Sequence, residues 1–243
     1  MSPPGAQNFP TTSWSLIRQA ANLQLPDSRA ALAALCQAYW DPLYVYLRRS
    51  GWSKEDAEDL VQGFLARLLE ANRLEQLTPE RGSFRGFLRV ALKNFVSTVC
   101  AEGRALKRGG GRPHLPFALD LAAGDIRYKL ESTAERTPDE SYERRWALTL
   151  LSNVLGRLRA EREEAGEGAL FRGLEGFLPG GFQEESYDAV ASRLDMTSGA
   201  VKVAVHRLRR RYRELLRAEV AALVSEPSEV DEELRYLHGI LSR

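Results

Sequence analysis

Apolar residues along this chain recur at helical intervals, and the pattern predicts helices almost throughout. The clearest stripe is Ala57, Leu60, Val61, Phe64, Leu65, Leu68 and Leu69, opened by the S-x-x-D start signal of Ser53 and Asp56. Upstream, Thr12 or Ser13 caps a short helix over Trp14–Ala21, and residues 22–27, with Pro26, form a turn. Ser28 opens a helix that runs through Tyr39. Asp41-Pro42 then reads as an N-cap followed by proline at the first position of a further helix, which runs to about Arg49 and stops near Gly51. A loop over residues 72–82 precedes a helix from Ser83 or Phe84 to about Glu102. Gly109-Gly110-Gly111-Arg112-Pro113 breaks the pattern, and the chain to Pro138 reads as a linker with one short helix near residues 126–130. Helical spacing resumes over residues 138–162 through Trp146, Leu150, Leu151, Val154, Leu155 and Leu158. A glycine-punctuated stretch over 166–181 then holds a short apolar helix between Ala169 and Leu178.

Between Tyr187 and Arg213 the pattern sharpens into a helix-turn-helix. Tyr187, Val190, Ala191 and Leu194 make a short amphipathic helix, and Asp195-Met196-Thr197 makes the turn. Ser198 caps a second helix with Val201, Val205, Leu208, Tyr212 and Leu215 on one face. Asp195 stands where the turn tends to require positive φ, which aspartate tolerates better than most residues. The outward face of the second helix offers Gly199, Lys202, Val203, His206, Arg209 and Arg210, a presentation that fits a major groove. A helical hairpin with a solvated basic surface would show much of the same pattern.

Charge sharpens this picture, because a net charge of +1 conceals segregation along the chain. Residues 81–112 carry eight lysines or arginines against Glu102, and residues 193–217 carry eight against Asp195 and Glu214. Two basic blocks imply two contacts with a polyanion. Residues 219–243 carry six acids against two arginines, so the tail should avoid nucleic acid and face a protein instead. In the first basic block Phe84, Phe87 and Phe95 interleave with Arg81, Arg85, Arg89 and Lys93, a combination that stacks on unpaired bases and holds phosphate. Phe87, Val90, Ala91 and Phe95 also read as the core stripe of that helix, which leaves Phe84, near the loop, as the stacking candidate.

The acidic helix is the counterpart. Glu55, Asp56, Glu58, Asp59 and Gln62 fall outside its apolar stripe, with Lys54 as the compensating charge. A solvated helix start would account for such acids at up to about 1 kcal/mol each. The chain is 243 residues long, 44% hydrophobic and 28% charged, enough for one or two ordinary cores. No apolar run approaches the roughly 20 residues that cross a bilayer, and the first residues lack the order of a signal peptide, so membrane insertion is not expected and a cytoplasmic location is. Cys36 and Cys100 lack partner spacing, as do His114, His206 and His238, so neither a disulfide framework nor a metal site is expected. No glycine-rich phosphate loop and no nucleophile with its base stands out, so the sequence is not read as an enzyme and no cofactor is expected.

DAEDLVQ at residues 56–62, followed by GSFRGFLRVALKN at 82–94 and a basic helix end, resembles region 2 of a bacterial RNA polymerase sigma factor. The helix-turn-helix is similar to region 4 of the same family, and the pair resembles the small extracytoplasmic-function type. The resemblance covers most of residues 28–112 and 139–220. It implies an all-α fold of two small helical domains joined by a flexible linker, with a short C-terminal helix. The expected boundaries are an N-terminal extension at 1–27, a region 2-like domain at 28–108, a linker at 109–138, a region 4-like domain at 139–225 and an acidic extension at 226–243. It also implies a factor without catalytic residues that docks on core RNA polymerase, recognises minus-thirty-five and minus-ten promoter elements and promotes strand opening. By position, Asp56, Glu58, Asp59 and Gln62 would bind the polymerase clamp. Arg81, Ser83, Phe84, Arg85, Arg89, Lys93, Asn94, Lys107 and Arg108 would contact the minus-ten element, where residues 78–83 capture an extruded base. Ser198, Gly199, Lys202, Val203, His206, Arg207 and Arg210 would read the upstream duplex.

Departures from the family pattern matter to these roles. Gly63 stands where an acid or amide is usual, and Val203 and Ala204 replace a frequent serine and arginine. Arg211, Arg213 and Arg217 continue down the second helix toward phosphates or the polymerase flap. Asp120, Asp125 and Glu131 in the linker carry a weaker expectation of template mimicry. The tail stripe Val230, Leu234, Leu237 and Leu241 is expected to cover a core, and its acids are a candidate for an autoinhibitory contact. An anti-sigma factor or another regulator is a further partner such a protein would take. The competing reading is a stand-alone helix-turn-helix regulator that binds operator DNA as a dimer.

Overall fold

The helical periodicity is realised throughout a computed structural model that describes residues 13–22, 27–70, 74, 77–78, 82–105, 136–179 and 185–242. The fold is all-α, and the described residues contain helices α1 (Trp14–Ala21), α2 (Ser28–Arg49), α3 (Lys54–Glu70), α4 (Phe84–Ala105), α5 (Pro138–Glu164), α6 (Gly168–Leu174), α7 (Tyr187–Arg193), α8 (Ser198–Ala221) and α9 (Val230–Leu241), with short 3-10 turns at Glu175–Phe177 and Pro227–Glu229. Two compact units divide the chain: one comprises Leu150–Val220, the other residues 9–149 and 221–243. The first half of α5 and all of α9 therefore belong with the larger unit, whereas the sequence places residues 139–149 with the helix-turn-helix and sets the tail apart.

In the larger unit, Ser13 caps α1 by accepting from the Leu16 amide at 3.1 Å. The Trp14 amide donates to the Ala222 carbonyl at 3.2 Å, and Trp14 Nε1 donates to the Leu223 carbonyl at 3.1 Å. Chain segments more than two hundred residues apart thus share one corner of the unit. Helix α2 corrects the reading of Asp41-Pro42 as a new start, because one helix runs through Pro42. A proline inside a helix costs about 3 kcal/mol. Burial of Tyr39, Trp40, Leu43, Tyr44 and Leu47 around it offsets that cost. Asp41, instead of capping, receives Arg145 Nε at 2.6 Å in a buried ion pair.

Helix α3 follows its sequence signal closely. Ser53 Oγ accepts from the Asp56 amide at 3.1 Å and donates to Asp56 Oδ2 at 2.8 Å. Ala57, Leu60, Val61, Phe64, Leu65 and Leu68 are buried, as is Gly63. Helix α4 is rotated from its expected face. Phe84, Leu88 and Leu92 form its buried stripe, while Val90 is 54% exposed and Phe87, Ala91 and Phe95 are half-buried. Thr137 and Glu140 open α5 as a capping box, with the Thr137 amide donating to Glu140 at 2.9 Å and the Glu140 amide to Thr137 Oγ1 at 3.2 Å.

The smaller unit is built on Val154, Leu158, Phe171, Leu174, Val190, Ala191, Val201, Val205, Leu208, Tyr212 and Leu215. Gly166, at φ +75°, ends α5 in the left-handed conformation that a side chain would disfavour. Gly173 lets α6 approach closely, since a Cβ there would lie 2.9 Å from Leu194 Cδ2.

Candidate functional site

The turn between α7 and α8 takes the conformation its sequence asks for. Asp195 has φ 52°, and the Met196 amide donates to the Ala191 carbonyl at 2.9 Å. Ser186 caps α7 by accepting from the Ala189 amide at 3.2 Å. The cap of α8 is Thr197, which accepts from the Ala200 amide at 3.1 Å; Ser198, expected in that role, is the first helical residue. Thr197 wins because its hydroxyl sits three residues before a helical amide with no intrahelical acceptor.

With Val201, Val205 and Leu208 buried, the opposite side of α8 presents Gly199, Lys202, Val203, His206, Arg207 and Arg210, all exposed. Val203 is 52% exposed, unusual for a valine and placed among cations. The Lys202 ammonium lies 5.8 Å from the Tyr187 ring, which is itself stacked on Phe177 at 4.5 Å. Arg210 makes an i,i+4 pair with Glu214 at 3.4 Å, and its side chain is 70% exposed. Arg209 and Arg211 are drawn elsewhere. Arg209 Nε donates to the Phe177 carbonyl at 3.0 Å, and Arg211 forks onto both oxygens of Glu161 at 2.8 Å. Arg211, expected to reach toward phosphates or the polymerase flap, is thus engaged by a carboxylate of its own unit.

On α3, Glu55, Asp56 and Asp59 are exposed and Glu58 and Gln62 are half-buried, so the candidate docking residues lie on the side away from the apolar stripe.

On α4 the candidates separate. Phe84 is buried and meets the Tyr39 ring edge-on at 5.2 Å, so it is a core residue and not an available stacking platform. Ser83 and Asn94 are exposed. Arg81, Lys107, Arg108 and the loop over 78–83 apart from Thr78, Gly82 and Ser83 lie outside the described residues, as do Asp120, Asp125, Glu131 and the short helix expected at 126–130.

The remaining cations, Arg85, Arg89 and Lys93, stand four residues apart in one row and are occupied by carboxylates from the same unit. Arg85 donates through Nε to Glu143 at 3.0 Å and through Nη1 and Nη2 to Glu233 at 2.6 and 3.3 Å. Its guanidinium lies 4.2 Å from the centre of the Trp146 ring and 5.0 Å from that of Tyr236. Burial opposes the Arg85 charge, but Glu233 and Glu143 together outweigh it and hold the guanidinium above its ordinary range. Arg89 pairs with Glu143 at 3.1 Å and Asp139 at 3.3 Å, and Lys93 with Asp139 at 3.1 Å. The hydrogen bond from Lys93 to Asp139 leads the influences that raise the lysine.

Glu233 belongs to the acidic tail already marked for an autoinhibitory contact, whereas Asp139 and Glu143 are functional candidates that sequence reading passed over. Their one sequence signal is spacing: Asp139 and Glu143 stand four apart at the start of a helix, matching the four-residue step of the cations. Beside this cluster is a cavity of about 550 Å³ lined by Arg89, Arg136, Asp139, Glu143, Arg144 and Tyr236 among others.

Among the described residues no group of three His, Cys, Asp or Glu side chains could hold a metal ion, and no helix is long and apolar enough to cross a membrane. Burial pushes the Cys36 thiol up to about 12, which makes it an apolar filler and not a nucleophile. Compared with protein-family models, curated proteins and solved structures, the chain matches none.

Proposed function

We propose that the protein is a sigma-type transcription initiation factor, acting in the cytoplasm, that docks on core RNA polymerase and directs it to promoter DNA. The observation that carries this reading is the exposed face of α8, where Gly199, Lys202, Val203, His206, Arg207 and Arg210 stand on the second helix of a helix-turn-helix. A basic helix of this kind anchors on phosphates through its cations and reads base edges through its smaller side chains. The acidic side of α3 supplies the complementary protein contact, with Asp56, Glu58, Asp59 and Gln62 facing a basic surface of the polymerase. Polymerase performs the chemistry, and this chain contributes recognition and strand separation.

Run-off transcription with purified core polymerase and a library of promoter fragments tests the proposal. Wild type should yield specific transcripts, and an Asp56→Arg, Asp59→Arg double variant should yield at least tenfold fewer, since reversing docking charges costs more than about 1.4 kcal/mol. Circular dichroism should show helicity retained in the variant. Normal transcription from the variant would sink the docking assignment.

One observation favours a second reading, a stand-alone operator-binding regulator: Arg85, Arg89 and Lys93 of α4 are paired with carboxylates of their own unit, whereas α8 presents exposed cations. That reading requires a dimer binding duplex without polymerase, and sedimentation of the protein with its selected DNA separates the two.

A further inference from the structure

Arg85, Arg89 and Lys93 form a row of three cations, and Asp139, Glu143 and Glu233 supply three carboxylates to it. The match is one of geometry as well as count. Glu233 takes Nη1 and Nη2 of Arg85 in the two-pronged fork by which arginine also grips a phosphate. We propose that α9 is a displaceable acidic strap, whose Glu233 occupies the phosphate position of a nucleic-acid surface on α4 and lowers its affinity until the strap is lifted. This rests on the proposed strand separation, with the row of cations on α4 taken as the surface that would hold the separated strand.

Three features make α9 suited to release. Its apolar hold is modest, with Val230 and Leu237 buried and Leu234, Ile240 and Leu241 half-buried, against the long buried series of α2. Polar contacts supply much of its remaining attachment: Glu233 on Arg85, and Arg144 Nη1 on the carbonyls of Ile240 and Leu241 at 3.2 and 2.9 Å. Tyr236, which covers Arg85, is itself 44% exposed. Polar attachments of this kind weaken when a polyanion offers the same cations equivalent contacts and releases its counterions. Once α9 lifts, Glu143 still holds Arg85 Nε, so the guanidinium keeps its orientation while Nη1 and Nη2 become available.

The test uses the full-length chain and a fluorescent single-stranded oligonucleotide of random sequence, titrated across salt concentrations. Glu233→Gln should bind about fivefold more tightly than wild type, with a salt slope steeper by about 0.7 for one more phosphate contact. Arg85→Ala in the Glu233→Gln background should abolish the gain. Hydrogen exchange gives a readout that a purely structural pair would not move: saturating oligonucleotide should speed exchange of the α9 amides in wild type. Unchanged affinity and slope in Glu233→Gln, a gain that survives Arg85→Ala, or α9 amides unaffected by the oligonucleotide would each overturn the strap. Run-off transcription of the same preparations is scored separately, so a chain that releases α9 on the oligonucleotide yet directs no transcript would refute the sigma reading and leave the strap standing.

Discussion

Val203 shows how one side chain refines a surface. Surrounded by Lys202, His206 and Arg207, it is the apolar member of the exposed α8 face, and an exposed methyl pair on such a helix is suited to a thymine C5-methyl in the major groove. Under the proposed function, Val203→Ala should weaken binding to the selected duplex by about 1 kcal/mol, the value of one buried methyl contact. Replacing the contacted thymine by uracil should weaken wild type similarly and leave the variant unchanged. A variant as sensitive to uracil as wild type would place the methyl contact elsewhere. Asp195 makes the complementary point about conformation: its φ of 52° is visible in advance because the turn has few residue choices, and aspartate is one of them.

Among elements, the link between α5 and α8 within the smaller unit depends on pH. The Glu161 carboxyl is held below its ordinary 4.5, first by the hydrogen bonds from Arg211 and then by the charges of Arg211, Arg157 and Arg162, which together outweigh its burial. A carboxyl depressed on folding contributes stability above its unfolded value and loses it as pH falls through the lower folded value. Glu161→Gln should therefore cost about 0.5 kcal/mol near pH 7, a small value because both partners are partly exposed. In strongly acidic solution, urea unfolding should show the two proteins equally stable. Helix α2 shows the opposite relation between local and global terms. Asp41-Pro42 has the local chemistry of a helix start, but burial on both sides of Pro42 and the Asp41–Arg145 pair hold one continuous helix.

For the molecule as a whole, the larger unit is discontinuous in sequence, assembled from residues 9–149 and 221–243. Deleting residues 221–243 should therefore lower its thermal midpoint by several degrees. Trp14 loses the carbonyls of Ala222 and Leu223, Arg85 loses Glu233, and the total of about 1–3 kcal/mol is large for a unit of this size. Differential scanning calorimetry checks this, and an unchanged midpoint would mean that the terminal segment is peripheral. The strap and this deletion test different properties, since Glu233→Gln leaves the 221–223 carbonyls in place.

Much of the architecture was legible from residues a few positions apart. The S-x-x-D start of α3, the stripe from Ala57 to Leu68, the proline opening of α5 and the helix-turn-helix all depend on contacts three or four residues away, where chain order and spatial order coincide. The sequence by itself therefore determined an all-α chain, its helix-turn-helix with Asp195 at the turn, and the exposed composition of α8. Only the tertiary structure decided which side of α4 is buried, that Phe84 belongs to the core, and that Arg85 meets Glu143 across 58 positions and Glu233 across 148. The physical reason is that a charged residue has many candidate partners along a chain. The pair that forms is selected by the packing of apolar faces, which no local pattern contains.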